Sequence, residues 1–298
     1  MDSKRVYRIL SLLFLVLTVL FFLLYAREKN FKDRLSEDFV SEAINNIRSD
    51  GIEISESVIH TSVTDVNIYN FDIPVIEEHN NKLSKAVSEA VFGQDVSTSR
   101  FETPDGISVS IYDKESKSEL GRIVFNNSDL SFSLLKNGIN ISGIESPVMN
   151  GRTDLIDESE KDLVSLVCKK LTNSSKMNYR ISGCSGDSDF FVVTAVQTVG
   201  GYDVSDAFVN FSFDGNELVS VSGKWIVEEP KAKYNNTLTD GVNVLYTLDF
   251  EQIKSIEYQR IVYVIKNADS DRYYLIPMWE ISYMDKSGQK KIDLVDAI

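Results

Sequence analysis

The 298-residue chain has few of the residues that build metal or nucleophilic centres. It contains two cysteines, too few for a structural zinc site, and two histidines, His60 and His79, that lie nineteen positions apart with no metal-ligand spacing. No glycine loop carries the lysine and hydroxyl of a phosphate site. The segment Gly183-Cys184-Ser185-Gly186 resembles a nucleophile loop but misses the required pattern by one residue. We therefore predict a protein that is not an enzyme and that has no catalytic residues, metal or cofactor.

Proline and glycine are also scarce, with five and fifteen residues, which argues against low complexity or wholesale disorder. Basic residues are in the minority: after residue 30 the chain holds 26 basic and 43 acidic residues, a net charge of −17. Such a surface repels phosphate backbones, so we exclude nucleic acid as a partner. The simplest interpretation of the charge is that it keeps the domain soluble; a specific cationic ligand is the alternative.

The chain does contain one long stretch without charge, residues 9–26. At about 1.5 Å per residue this stretch spans about 27 Å as a helix, which matches the hydrocarbon core of a bilayer. Lys4, Arg5 and Arg8 precede it and favour a cytoplasmic N-terminus. A cleaved secretory signal is the alternative, but Leu24 stands where such a signal needs a small residue. We predict a single-pass cell-membrane protein with a cytoplasmic tail (residues 1–8), a transmembrane signal anchor (residues 9–26) and an extracytoplasmic domain.

One face of the predicted anchor combines hydroxyl and aromatic side chains at steps of three and four residues. Such a face is one way in which helices meet in lipid, at roughly 0.6–2 kcal/mol per interhelical hydrogen bond. The alternative is that the hydroxyls bond backbone carbonyls four residues earlier in their own helix. The candidate transmembrane interaction face comprises Ser11, Phe14, Leu15, Thr18, Phe22 and Tyr25.

The two cysteines, Cys168 and Cys184, flank fifteen residues. In an oxidising compartment a disulfide between them contributes about 3 kcal/mol on the loop-entropy model. Cys168 also lies on the apolar face of a predicted helix, residues 157–171, so it is equally interpreted as a small buried core residue. Both interpretations remain open at this point.

The order of periodic segments predicts an α+β fold with two modules behind the anchor, each a helix followed by an antiparallel β-meander. A stalk helix occupies residues 27–50, and Gly51 ends it. The first module covers residues 51–150 and the second covers residues 151–298. The predicted helices are residues 31–48, 77–91, 157–171 and a short one that ends at 248. The predicted strands are residues 65–73, 107–112, 120–135, 190–199, 207–213, 218–221, 253–265, 273–283 and 291–295.

The strand at residues 273–283 carries large side chains on one face and a proline. Pro277 has no N–H to donate, which places it at a sheet edge or a bulge. An edge strand that bears aromatic residues can accept a partner strand. Pro277, Trp279, Ile281 and Tyr283 therefore form a candidate edge-strand interface, with packing of the aromatic rings in the core as the alternative.

Four segments resemble the YycI/YycH group, membrane-anchored regulators of an essential two-component histidine kinase in Gram-positive bacteria. The first is the Met1-Asp2-Ser3-Lys4-Arg5 start that runs into an anchor, and the second is Gly51-Ile52-Glu53-Ile54 after the stalk. The third is Gly201-Tyr202-Asp203-Val204 before an Asp-Gly hairpin, and the fourth is Pro277-Met278-Trp279-Glu280-Ile281. The fourth segment also resembles the strand that ends PepSY-type modules, and the chain length is closer to YycI than to YycH.

The resemblance implies a non-enzymatic regulator that binds a sensor histidine kinase and a homologous anchored regulator. Binding would use the transmembrane helix and the extracytoplasmic domain, and it would modulate two-component signalling. Two alternatives remain. The chain can instead be an extracytoplasmic PepSY-like binding module, such as a protease inhibitor or an envelope chaperone, or a hydrolase whose site has no recognisable motif.

Overall fold

A computed structural model of the chain describes residues 14–22, 35–61, 65–73, 76–103, 106–126, 130–137, 157–173, 175–187, 189–268 and 271–298. The fold is mixed α+β and mostly β-sheet. The helices are α1 (Glu37–Ser49), α2 (Ile76–Phe92), α3 (Glu158–Thr172) and α4 (Gly241–Leu245). The strands are β1 (Asp65–Asp72), β2 (Val96–Thr103), β3 (Gly106–Asp113), β4 (Glu119–Asn126), β5 (Ser131–Lys136), β6 (Asn178–Gly186), β7 (Phe190–Val199), β8 (Tyr202–Asp214), β9 (Glu217–Lys224), β10 (Lys231–Thr237), β11 (Ile253–Asn267), β12 (Arg272–Asp285) and β13 (Lys290–Asp296).

The chain divides into two compact units whose boundaries differ from the predicted modules. The first unit combines Met1–Val66, Asn236–Ile261 and Met278–Ile298. The second unit combines Asn67–Asn235 and Val262–Pro277. The predicted division between residues 150 and 151 therefore falls inside the second unit. The reason is that β5, from the predicted first module, pairs with β9, from the predicted second module.

The second unit contains two copies of a helix followed by a four-stranded antiparallel meander. The first copy is α2 with β2 to β5, and the second is α3 with β6 to β9. Their last strands join antiparallel, with Ser133 opposite Ser222. The helix-plus-meander prediction thus describes both copies, although the second copy ends at β9 rather than at residue 298.

The two copies share one core between their sheet and the helices α2 and α3. Each helix presents one apolar stripe to it, as the 3.6-residue period of the sequence predicts. Helix α3 begins where predicted because the Asp157 backbone N–H donates to the Glu160 carboxylate over 2.7 Å, half of a capping box. The fully buried members of this core include Leu83, Val87, Ile111, Val167, Phe211 and Trp225.

Strand β8 organises the second unit because it has three neighbours. It pairs with β7 at Tyr202 and Asp203 and again from Phe208 to Asp214, on either side of a register shift. It also pairs with β9 from Val209 to Asp214 and in parallel with β11 at Asp203 and Val204. The change from β9 to β11 occurs next to Gly223, whose φ is +153°. A Cβ there would lie 2.1 Å from the Phe208 carbonyl oxygen, so only glycine fits.

The first unit contains α1, α4, β13 and parts of β11 and β12. Strands β12 and β13 pair antiparallel, with Trp279 opposite Val295. Helix α1 begins six residues later than predicted because Ser36 caps it, its hydroxyl accepting from the Phe39 N–H over 3.2 Å. The helix ends before Gly51, whose φ of +83° suits a helix terminus. Its buried face comprises Val40, Ala43, Ile44 and Ile47.

Candidate functional site

Residues 14–22, which we term the apolar helical segment, lie within the predicted anchor and are helical. Eight of its side chains are large, apolar and exposed, from 43% for Leu17 to 74% for Phe14. A contiguous exposed apolar surface of this kind marks a contact with lipid or protein. In the part of the chain that the structure describes, no helix is both long and apolar enough to cross a bilayer. Ser11 and Tyr25 of the predicted interaction face, the cytoplasmic tail and residues 23–34 lie outside the described residues.

The Thr18 hydroxyl donates to the Phe14 carbonyl oxygen, four residues earlier, over 2.8 Å. This is the backbone bond that the sequence analysis gave as the alternative to an interhelical contact. Phe14, Leu15 and Phe22 remain exposed beside it. In the four described residues of the predicted face, the apolar side chains are thus available for contact, whereas the Thr18 hydroxyl already has a hydrogen-bond partner.

Helix α1, the described part of the predicted stalk, is fixed to the first unit by more than its buried face. The Arg48 guanidinium donates to the Ile54 carbonyl oxygen, over 2.8 Å from Nη2 and 3.1 Å from Nε. Glu53 then forms a parallel bridge with Ser255 of β11. The Glu53 N–H donates to the Lys254 carbonyl oxygen over 3.0 Å, and the Glu53 carbonyl oxygen accepts from the Ile256 N–H over 2.9 Å. Residues 37–54 therefore form one tied segment rather than a free stalk.

The predicted edge-strand interface is corrected by the structure, because β12 is an interior strand with β11 and β13 as neighbours. Trp279 and Ile281 are fully buried and Tyr283 is 8% exposed. Pro277 is tolerated because pairing with β13 begins only at Met278, so its missing N–H removes no bond from that ladder. Core packing of these aromatic rings, the alternative interpretation, is what the structure contains.

Trp279 is held by polar contacts at the centre of the first unit. Its indole N–H donates to the Thr239 carbonyl oxygen over 2.9 Å, and the His60 ring meets it edge-on at 5.4 Å. Burial lowers the pKa of His60, which favours the neutral ring in this position. Gln259 completes the arrangement, accepting from the His60 N–H over 3.2 Å and donating to the Gly241 carbonyl over 2.7 Å.

A polar network that the sequence did not predict is centred on the buried carboxylate of Glu280 in the first unit. This carboxylate accepts from the Tyr258 hydroxyl over 2.9 Å and from Arg260 Nε over 2.7 Å. Burial, followed by the charge and hydrogen bond of Glu280, raises the pKa of Tyr258 to about 12, so the hydroxyl stays a donor at neutral pH. The only signal in the sequence is the two-residue spacing of Tyr258 and Arg260, which places both side chains on the same face of β11.

A second missed contact joins His79 of α2 to Glu228 in the second unit. His79 Nδ1 lies 2.6 Å from Glu228 Oε2, and Lys82 lies 3.5 Å from the other carboxylate oxygen. Burial alone would raise the pKa of Glu228, but the hydrogen bond and charge of His79, together with Lys82, outweigh it and lower the pKa. His79 is 1% exposed, so a solute cannot reach its ring from solvent. The pair is a structural contact that ties α2 to the segment after β9.

Both cysteines lie in the shared core of the second unit, and neither forms a disulfide. Cys168 is fully buried on α3, and Cys184 on β6 is 3% exposed. Burial raises the pKa of the Cys168 thiol far above its ordinary value, which makes it a poor nucleophile. The structure therefore contains the core-residue arrangement for Cys168 and not the possible disulfide. It also places Gly183-Cys184-Ser185-Gly186 on a strand rather than on a nucleophile loop.

Comparisons with known proteins inform the fold only. No family model matches the chain and no curated protein matches it. A crystal structure of an uncharacterized protein from Eubacterium rectale ATCC 33656 is similar, with a TM-score of 0.51 and 11% identity, over 83% of this chain and 87% of that one. The Bacillus megaterium YpeB C-terminal domain is also 11% identical, over 72% of this chain and 97% of that one, but its TM-score is 0.37. The first similarity supports a shared mixed α+β fold, and the YycI/YycH resemblance stays a prediction from sequence.

Proposed function

We propose that the chain is a non-enzymatic, single-pass membrane regulator that acts by binding other proteins. Residues 9–26 anchor it, residues 1–8 are cytoplasmic, and residues 27–298 are extracytoplasmic. Its partners are a sensor histidine kinase and a homologous anchored regulator, and it binds them through the membrane helix and the extracytoplasmic domain. The outcome of binding is a change in two-component signalling.

The observation that carries the proposal is the exposure of the apolar helical segment on all sides. Phe14, Phe21 and Phe22 are each at least 67% exposed, and no charged residue interrupts the surrounding stretch. In water such a surface is costly, at about 25 cal/mol for each Å² of apolar area. Insertion into lipid removes that cost, and Lys4, Arg5 and Arg8 orient the insertion.

The attachment of α1 to the first unit gives the anchor a mechanical role in the proposal. Arg48 bonds α1 to the Ile54 carbonyl, and Glu53 bridges this segment to Ser255 of β11. A shift or rotation of the membrane helix that reaches α1 is therefore passed to the first unit rather than absorbed. A kinase is biased between two states only if the regulator binds one state more tightly. A difference of about 1–3 kcal/mol shifts that equilibrium about 5–150-fold.

The choice of partners rests on the sequence resemblance. Its second segment, Gly51-Ile52-Glu53-Ile54, contains the residue that bridges to β11. Its fourth segment lies on β12 and contains the buried Trp279 and Glu280. These segments therefore join α1 to β11 and contribute to the core of the first unit, which are the parts that the proposed mechanism uses.

Replacing residues 9–26 with a poly-leucine helix of equal length tests the role of the membrane helix. The protein should remain anchored but co-purify less with the kinase and change the output of the kinase target genes. Thr18→Val in the natural helix is the matched control, because its hydroxyl is already bonded to Phe14. Association and output that match the natural chain would remove the membrane helix from the mechanism.

The second candidate is an extracytoplasmic PepSY-like binding module, such as a protease inhibitor or an envelope chaperone. The repeated helix-plus-meander organisation of the second unit favours it. In that case residues 31–298, secreted without the anchor, should fully rescue a deletion strain. Rescue by the anchored chain alone would favour the regulator.

A further inference from the structure

Strand β2 is the least protected edge strand in the described part of the chain. Four described strands have one neighbouring strand each, and three of them carry features that block edge pairing. Strand β10 carries Lys231 and Lys233, and β13 carries Lys290 and Lys291. Strand β6 has a register shift between Ile181 and Gly183. Strand β2 has no lysine, no proline and an unbroken eight-residue register with β3.

The C-terminal half of β2 contains the sequence Arg100-Phe101-Glu102, and an axis at Phe101 pairs residues 99–103 of the two copies. Cross-strand pairing places Arg100 opposite Val109 and Glu102 opposite Ile107, on the face that bears the buried core. Phe101 lies on the other face and is 52% exposed. Two opposite charges therefore flank an exposed aromatic residue on a strand that is open to pairing.

We propose that two copies of this chain pair antiparallel through β2, with the two-fold axis at Phe101. In this register each Arg100 stands opposite Glu102 of the second copy, which forms two complementary pairs, and the two Phe101 rings face each other. Moving the axis to Arg100 places two arginines opposite each other, and moving it to Glu102 does the same with two glutamates. Charge complementarity thus selects one register of a closed, self-complementary interface.

The contacts that Arg100 makes within its own chain are compatible with this pairing. Its guanidinium forms an ion pair with Glu77 of α2, and its side chain remains 28% exposed. Glu77 is 57% exposed, so the guanidinium can contact both carboxylates. Within the second unit the same kind of contact already occurs, since β5 and β9 join two meanders edge to edge. Pairing through β2 requires neither the anchor nor the kinase.

Symmetric cysteine cross-linking of the full-length chain tests the register. Across an antiparallel pair, Cα atoms at the axis lie about 4.5–5.5 Å apart, within the range that a disulfide spans. Phe101→Cys should therefore form a covalent dimer on oxidation. Ser99→Cys is the matched control, because its two copies would lie roughly 13 Å apart. Cys168 and Cys184 are buried and do not compete. We expect about tenfold more dimer from Phe101→Cys on non-reducing gels.

Charge exchange in the Phe101→Cys background gives an independent measurement. Glu77→Gln removes the pair within the chain and should leave the dimer yield unchanged. Adding Glu102→Arg places arginines opposite each other and should lower the yield about tenfold. Adding Arg100→Glu as well should restore it, and a thermal melt of each variant confirms folding. Equal yields at positions 99 and 101, no dimer at either, or no restoration would overturn the proposal. Cross-linking of Phe101→Cys to a different protein alone would show that another partner occupies β2.

Discussion

The side-chain amide of Gln197 hydrogen-bonds both backbone groups of Ile226, as the backbone of a neighbouring strand would. Its side-chain amide donates to the Ile226 carbonyl oxygen over 2.8 Å and accepts from the Ile226 N–H over 2.8 Å. Gln197 is fully buried where the register between β7 and β8 shifts, and Ile226 follows the end of β9. A side chain thus supplies the donor and acceptor that a neighbouring backbone supplies elsewhere in the sheet.

Replacing Gln197 with leucine should lower the free energy of unfolding by about 3 kcal/mol, because two buried backbone groups lose their partners. Chemical denaturation measures this loss. Gln289→Leu is the matched control, since Gln289 is exposed, and it should change stability by less than about 0.5 kcal/mol. Equal effects of the two substitutions would contradict the role assigned to Gln197.

The pairing of Glu228 with His79 predicts a loss of stability in acid. Because the folded-state pKa of Glu228 lies below its ordinary value, its contribution is complete above the ordinary pKa of 4.5 and is lost as pH falls through the folded-state value. Glu228→Ala should therefore cost about 2 kcal/mol near neutral pH, and the difference from wild type should shrink below pH 4.5.

The neighbouring residue provides the control for this prediction. Glu229 pairs with Lys176, and both side chains are exposed, by 46% and 73%. Glu229→Ala should cost less than about 1 kcal/mol at any pH because solvent screens the pair. A pH-independent difference between wild type and Glu228→Ala would show that the carboxylate is not stabilised by its partners.

The buried cysteines predict a sharp contrast in thiol reactivity. A water-soluble thiol reagent should modify neither Cys168 nor Cys184 in the folded protein, because both are buried and the pKa of Cys168 is raised. In denaturant both should react. Counting thiols before and after unfolding, without reductant, makes the measurement. No reactive thiol after unfolding would instead indicate the disulfide that the sequence analysis left open.

Helices with a strong apolar period were predictable to within one residue. Helix α2 was predicted at residues 77–91 and occupies Ile76–Phe92, and α3 was predicted at 157–171 and occupies Glu158–Thr172. Each of these helices buries one apolar face, and the residues of that face recur every three to four positions. The helix can therefore be predicted from its own sequence. The Asp-Gly hairpin was equally local, and Gly215 takes the expected positive φ of 55°.

Three of the four edge strands were missed, and in β10 the exposure of the whole strand removes the sequence signal. Strands β2, β6 and β10 do not appear in the predicted set, and each has one neighbouring strand among those described. Every residue of β10 is at least partly exposed, so its sequence KAKYNNT shows no alternation of apolar and polar positions. Alternation is produced by one buried face, and a strand without such a face cannot show it.

Contacts between residues that lie far apart in the sequence could not be predicted from the sequence either. His79 and Glu228 are 149 positions apart, and Gln197 and Ile226 are 29 apart. Neither pair has a spacing rule, because only the completed sheet brings the partners together. The same holds for the unit boundary, which depends on the pairing of β5 with β9.

Thr18→Val should leave the association of the membrane helix unchanged to within about 0.5 kcal/mol, since the hydroxyl already bonds the Phe14 carbonyl. Reporter assays of helix association in membranes measure this directly. Phe14→Ala is the comparison, because it removes an apolar side chain that is 74% exposed. If Thr18→Val alone weakened association strongly, the hydroxyl would have to bond across helices instead.

Trp279 and Ile292 lie on adjacent strands of the first unit, and the first is buried while the second is exposed. Trp279 is fully buried and donates to Thr239, so Trp279→Ala should lower the free energy of unfolding by about 4 kcal/mol. Ile292 on β13 is 50% exposed, so Ile292→Ala should cost less than about 1 kcal/mol. Chemical denaturation gives both values. Because Trp279 contributes to folding, a binding defect in Trp279→Ala counts as an interface effect only if stability is retained. Equal losses of stability in Trp279→Ala and Ile292→Ala would contradict the core role assigned to Trp279.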